Sequence, residues 1–168
     1  SSPTAGVAFG GSAPPPSIST TEEFNVSTNV ITAAAWASGG NLATARNVLA
    51  GAGIQTAALM IGGNNPGTTQ KGETEEYNGT SYSEENDLGT ARSQSGSGGT
   101  TSAAIYFAGD VFPGSPRNSN LTEEYDGSSW TAQNTMAQER RALTGFGTQT
   151  AAVGAGGYST TILNNVEE

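Results

Sequence analysis

Glu84, Glu85, Asp87, Asp110 and Asp126 are the groups through which this chain could move protons. Two carboxyls that converge in one pocket can divide into a general acid and a general base, because their surroundings push the two pKa values apart. A glycosidic bond is a common target of such a pair. Several other chemistries are closed. Neither histidine nor cysteine occurs in the 168 residues, which removes imidazole bases, thiolate nucleophiles, disulfides and the usual zinc, copper and haem ligands. No cofactor is expected, and no metal site beyond a weak contact at Asp110.

The cations are few: Lys71 is the one lysine, beside five arginines, and 15 acidic residues bring the formal charge to -9. A phosphate backbone would be repelled, so nucleic acid is not an expected partner. Membrane insertion is not expected either, because no apolar stretch approaches a bilayer's thickness. The opening SSPTAG carries neither an initiating Met nor a signal-peptide pattern, which suggests a processed product or a segment of a longer parent. Lys71, Phe112, Arg117 and Asn118 sit in variable polar loops and are candidates for touching a glycan or a protein.

What must position these groups is a repeat. An apolar run ends in Gly-Gly at Gly10-Gly11, Gly62-Gly63 and Gly156-Gly157, with Gly109-Asp110 as the variant. Thr-Glu-Glu recurs at Thr21, Thr74 and Thr122, and Asn165-Val166-Glu167-Glu168 begins a further copy. Arg46, Arg92 and Arg140 stand once per copy ahead of a glycine-bearing run. Several landmarks that keep their order indicate a repeated supersecondary unit. The units are approximately 1–43 (partial), 44–89, 90–137 and 138–168 (partial), within one domain of 1–168.

Each unit reads as short strands with Gly, Asn and Thr at their boundaries. The third and fourth strands are TEEYNGTSY and TEEYDGSSW, whose Asn78-Gly79 and Asp126-Gly127 signal tight hairpins. Tyr77, Tyr125 and Trp130 flank those turns and supply large rings to a core otherwise made of small side chains. ITAAAWASGG reads as a strand despite its alanines, because Trp36 falls where Tyr82 and Trp130 stand. Arg46, Arg92 and Arg140 are expected to pair with acids among Glu22, Glu23, Glu75, Glu76, Glu123 and Glu124 between units, or to bind strand-end carbonyls. Recruitment of an anionic ligand around a central channel is the sharper alternative.

These residues resemble the kelch family. Its succession of Arg, glycine-bearing strand, apolar strand ending in Gly-Gly, variable loop, acidic-aromatic strand, short turn and Trp is carried most fully from Arg92 to Arg140. The resemblance implies an all-β, kelch-like β-propeller or an open propeller-like repeat of about four mostly four-stranded blades. Tandem repeats of this kind in phage-associated or environmental proteins look similar, which implies an extracellular or virion-surface location. The copper chemistry of galactose-oxidase-like propellers does not carry over, since its histidine and cysteine are missing.

The landmarks yield 3, 4, 4 and 3 strands in chain order. Open strand edges invite pairing with another chain. The leading expectation is therefore a non-enzymatic extracellular or virion-associated structural assembly module, a filament or homo-oligomer completed by identical subunits or neighbouring repeat segments. The alternatives are a host-attachment module that binds a cell-surface glycan or protein, and a carboxylate-dependent glycan hydrolase or lyase.

Overall fold

The computed structural model describes residues 5–11, 18–25, 35–65 and 69–168, together all-β. The sequence readings at 12–17, 26–34 and 66–68 lie outside the described residues, as do the side chains of Glu22 and Glu23. Strands β1 (Ala5–Gly11), β2 (Ile18–Asn25) and β3 (Ala35–Ser38) form a first sheet. The second contains β4 (Ala50–Ile54), β5 (Ala57–Ile61), β8 (Thr74–Tyr77) and β9 (Tyr82–Glu85). A two-stranded ribbon, β6 (Asn64–Asn65) and β7 (Thr69–Gln70), projects between β5 and β8. The third sheet contains β10 (Gly96–Thr100), β11 (Ala103–Asp110), β12 (Asn118–Tyr125) and β13 (Trp130–Gln133). The fourth contains β14 (Thr144–Thr148), β15 (Ala151–Ala155) and β16 (Val166–Glu167).

Every pairing within these sheets is antiparallel between neighbours, and β10 lies between β4 and β14. The result is an open, propeller-like fan of four sheets. Its inner strands approach so closely that a Cβ on Gly145 would sit 2.5 Å from the Ser97 amide nitrogen. Strand alternation then assigns the core. Leu59 and Ile61 pack toward the third sheet with Tyr106, Tyr125 and Trp130. Ala58 and Met60 pack on the other face with Leu42 and Tyr77. A sheet covered on both faces needs a continuous apolar run, and AALMI supplies one. Each fully buried large apolar side chain contributes about 1.5–3 kcal/mol.

Backbone bonds join successive units at equivalent places. Gln94 N donates to Val48 O at 2.9 Å, and Ala142 N donates to Gln94 O at 2.8 Å. These three residues hold φ of 46°, 56° and 54°, a left-handed conformation that costs a non-glycine residue about 1–2 kcal/mol. The repeated bonds accompany that repeated strain. A second set runs from the glycine pairs: Gly63 N donates to Arg92 O at 2.9 Å and Gly109 N to Arg140 O at 2.8 Å.

That equivalence corrects the register read from the sequence. Gly62-Gly63 and Gly156-Gly157 have φ of 63°, 103°, 66° and 99°, and the matching pair in the third sheet is Ala108-Gly109, at 60° and 113°. Asp110 stands one position later, where Asn64 and Tyr158 stand, each bridged to the segment after its unit's arginine. The invariant requirement is two successive positive φ values, and Ala108 meets it without a glycine. Gly62 has a further reason to lack a side chain, since its Cβ would lie 2.4 Å from the Tyr106 hydroxyl.

The hairpins are wider than the two-residue turns expected. Tyr77 pairs with Tyr82 and Tyr125 with Trp130, leaving four residues in each loop. Only the glycines take positive φ, 92° at Gly79 and 93° at Gly127. Asn78 and Asp126 act through their side chains: Asn78 Oδ1 accepts from Thr80 N and Ser81 N, and Asp126 Oδ1 from Ser128 N and Ser129 N. The bonds from Ser129 and then Ser128 hold the Asp126 carboxyl below the ordinary aspartate value. A depressed carboxyl contributes stability that is present above its unfolded pKa and lost as pH falls through the folded one. Asp126→Asn, which keeps the acceptor as Asn78 does, is expected to melt like the parent at neutral pH and to lose less on acidification. Melting curves from neutral to strongly acidic pH test this, and parallel decline of the two proteins would refute it.

Candidate functional site

The recurring arginines form one device three times. Arg46, Arg92 and Arg140 have no solvent exposure. Arg46 Nη2 donates to Glu75 Oε1 at 2.8 Å, Arg92 Nη2 lies 3.1 Å from Glu123 Oε1, and Arg140 Nη2 pairs with Glu167 Oε1. The other oxygen of each glutamate accepts a backbone N–H three residues before the arginine: Ala43 at 2.8 Å, Gly89 at 2.7 Å and Ala137 at 2.7 Å. Carbonyls take further guanidinium protons, among them Glu73 O for Arg46 at 2.7 Å and Gly156 O for Arg140 at 3.1 Å.

Two expectations are thereby refined. Each pair forms within a unit, clamping the segment that enters a sheet onto that sheet's third strand, instead of joining one unit to the next. The buried guanidiniums are also withdrawn from any ligand. Burial lowers the Arg92 pKa, opposed by the Glu123 charge, while its guanidinium stacks 5.1 Å from the centre of the Tyr106 ring. The Tyr106 hydroxyl, pushed up to about 12 by burial, donates to Arg92 O at 3.1 Å.

Strand alternation means that only the first glutamate of each Glu-Glu pair can reach the arginine. On β8, Glu75 does so, and Glu76 points to the seam with the third sheet. There the structure gathers Glu76, Glu85 and Tyr125. The Tyr125 hydroxyl donates to Glu85 Oε2 at 3.4 Å. Partial desolvation and then the Glu85 charge raise the Glu76 pKa. Desolvation, Glu85 and Glu76 together push the Tyr125 phenol up to about 12, so it remains a proton donor. Glu76 and Glu85 are each half-buried. Of the five acids considered from the sequence, Glu85 joins a second carboxyl in this way. Glu84 and Asp87 are exposed, Asp126 caps its turn, and Asp110 is buried and paired with the exposed Arg117.

Asp110 organises the loop after β11. Its Oδ1 accepts from Phe112 N at 2.9 Å and from Arg117 Nε at 3.3 Å, and the Arg117 guanidinium lies 5.1 Å from the Phe112 ring centre. Asn118 is the β-ladder partner of Asp110 and accepts from Arg141 Nη1 at 2.5 Å. Arg141 in turn lies 4.8 Å from the Tyr158 ring centre. Phe112, Arg117 and Asn118 are thus brought together, with Arg141 and Tyr158 added. The signal for Tyr158 was its place after a glycine pair, shared with Asn64 and Asp110. Lys71 stands apart in the connection between β7 and β8, its ammonium 3.1 Å from Glu73 Oε1. The weak metal contact considered at Asp110 gives way to Arg117, and among the described residues no group of three or more acids is placed to hold a metal ion.

No family model and no curated protein matches this sequence. The fold does match solved structures. One, titled "Structure of YjhT", superposes with a TM-score of 0.71 at 13% identity over 89% of this chain. The match takes up 48% of that structure's chain, so the present chain spans about half its length. The likeness establishes a propeller-like all-β repeat without specifying the kelch family.

This match overturns the leading expectation from the sequence. A non-enzymatic structural or virion-associated assembly module was argued from open edges and a strand deficit. A stretch of similar fold takes up about half of that longer solved chain, so open edges in a stretch of this size do not by themselves argue for assembly. The expectation that the chain is not an enzyme falls with it.

The buried clamp generates a direct test. Arg92→Met strands Glu123 without its cation and is expected to cost about 3–5 kcal/mol in urea unfolding. Adding Glu123→Leu should restore part of that loss, giving a double-mutant coupling above about 0.5 kcal/mol. Strict additivity would show that the two side chains do not act as a unit.

Proposed function

We propose that this chain belongs to a carbohydrate-acting propeller of the kelch kind, a carboxylate-dependent glycan hydrolase or lyase, with Glu76 and Glu85 as its proton-transfer pair. The observation that carries this reading is the convergence of two half-buried carboxyls across β8 and β9, one raised by burial and then by the other's charge, under a neutral phenol. The raised Glu76 carboxyl is suited to hold a proton and deliver it to the oxygen of a departing sugar. Glu85, oriented by the Tyr125 hydroxyl, is suited to take a proton from water as its oxygen bonds to the anomeric carbon. The glycosidic C–O bond breaks, and the two carboxyls finish with their protonation exchanged.

The loop cluster of Phe112, Arg117 and Asn118 supports recognition of the same class of ligand, since aromatic faces and fixed donors suit sugar rings and hydroxyls. An extracellular glycan is the substrate class that fits this reading.

Hydrolysis or eliminative cleavage of a panel of neutral and acidic glycans, followed by reducing-end release and by absorbance of unsaturated products, tests the proposal. Glu76→Gln and Glu85→Gln are each expected to lower kcat by about 10²–10⁴-fold without unfolding the protein. The rate should fall as pH rises through the elevated Glu76 pKa, because the acid is then lost. Full activity in both variants would remove this pair from consideration, and absence of turnover across the panel would remove the enzymatic reading.

A further inference from the structure

Among the described residues a short three-residue row recurs in each of the last three units, with its middle residue just after the positive-φ pair. In the second unit Asn47 is bridged to Asn64, and Asn64 pairs with Gln70. The equivalents are Ser93, Asp110 and Asn118 in the third unit, and Arg141, Tyr158 and Ile162 in the fourth. Directly opposed residues of an antiparallel pair turn their side chains to one face, so each row presents its three side chains together. A constant backbone that carries differing side chains suits recognition.

Several of these side chains are satisfied from within. Asp110 accepts from Phe112 N and Arg117 Nε, Asn118 accepts from the Arg141 guanidinium, and that guanidinium stacks on Tyr158. Three others are not. Asn47 Oδ1 and Gln70 Oε1 are buried oxygens without a hydrogen-bond partner among the described residues, and Gln70 as a whole is 8% exposed. Ser93 has no exposure and its Oγ is equally unpartnered. Backbone bonds hold Ser93 against the row of the second unit: Arg92 N donates to Lys71 O at 3.2 Å, Gly63 N to Arg92 O at 2.9 Å, and Gln94 N to Val48 O at 2.9 Å. Ser93 and Gln70 therefore occupy the places that Arg141 and Asn118 hold in the next seam. Serine is too short for the bridge that arginine makes there. Buried polar atoms are almost always hydrogen-bonded, and one left over is destabilising, so three around one seam point to a guest.

We propose that this amide row is a subsite for the vicinal hydroxyls of a neutral sugar. Each amide offers an acceptor oxygen and two N–H donors, and the serine hydroxyl can act either way, which matches the donors and acceptors of adjacent sugar hydroxyls. The guest is neutral because the unmet oxygens belong to uncharged groups and the Lys71 ammonium is already paired with Glu73. The half-exposed Asn47 and Asn64 form the edge of the row toward solvent. Ser93 is bridged to Asp110, so the row adjoins the loop of Phe112 and Arg117. The sugar class rests on the function proposed above, whereas the subsite itself uses neither Glu76 nor Glu85.

The probes are neutral tetrasaccharides of glucose, galactose and mannose, each beside its permethylated form, added to the parent and to Glu85→Gln. Side-chain amide resonances of Asn47, Asn64 and Gln70 are expected to shift saturably with at least one unmodified probe and with no permethylated one. Gln70→Met removes an acceptor at nearly constant volume. It is expected to weaken binding by about tenfold or more and to melt at or above the parent's temperature, since the oxygen it removes is unpartnered. Absence of saturable shifts with every probe, equal binding by a permethylated form, unchanged affinity in Gln70→Met, or a crystal of the sugar-soaked protein with an ordered water alone on Gln70 Oε1 would overturn the subsite. Turnover in the parent without shifts at the row would overturn the subsite and leave the catalytic pair standing. Saturable shifts at the row without turnover in the parent would do the reverse.

Discussion

A buried arginine facing a glutamate is costly unless its charge is matched, and this molecule matches it in the same way three times. The guanidinium takes one carboxylate oxygen and nearby carbonyls, and the other oxygen takes a backbone N–H three residues ahead of the arginine. The clamp therefore fixes the chain entering a sheet against that sheet's third strand. Once entry is fixed, the inner strand, the left-handed residues at 48, 94 and 142, and the glycine-pair carbonyl bonds recur in register. Removing one charge leaves the other stranded in the interior, which makes the pair a stronger constraint than its net contribution to stability.

Small residues follow from the same geometry. Inner strands that fan from a common axis crowd one another, and the spacing at Gly145 leaves no room for a methyl group. Bulk is displaced outward, to tyrosines and tryptophans at the hairpins, where the sheets diverge and rings fill the wedge. Tyr125 and Trp130 lie with ring centres 5.0 Å apart, and Trp130 meets Tyr106 edge-on at 6.3 Å. This wedge is also where Glu76 loses part of its water. The group with the most suggestive proton chemistry is thus a by-product of how the fan packs.

Much of this was legible in the residues. Arg46, Arg92 and Arg140 announced a device of their own, and Thr-Glu-Glu announced its partner, because a charge that recurs at each unit has a recurring job. The all-β assignment and the order of strands followed from the Gly, Asn and Thr boundaries. The glycine-pair register in the third sheet was misread, because letters suggest Gly109-Asp110 while the backbone requires two positive φ values and obtains them at Ala108-Gly109. Asn78 and Asp126 were recognised as turn residues, but their function as side-chain acceptors in four-residue loops depends on where the flanking strands pair.

The sequence by itself determined the repeat, the strand order and the exclusion of imidazole and thiol chemistry, since each depends on residue type or on spacing along the chain. Only the tertiary structure decided which glutamate of each pair serves the arginine and which faces a neighbour, that Phe112 and Asn118 belong with Arg141 and Tyr158, and that Glu76 meets Glu85 beneath Tyr125. Those outcomes depend on the face to which a strand turns each side chain and on the sheet that packs there. A linear spacing carries the first only as an alternation and does not carry the second.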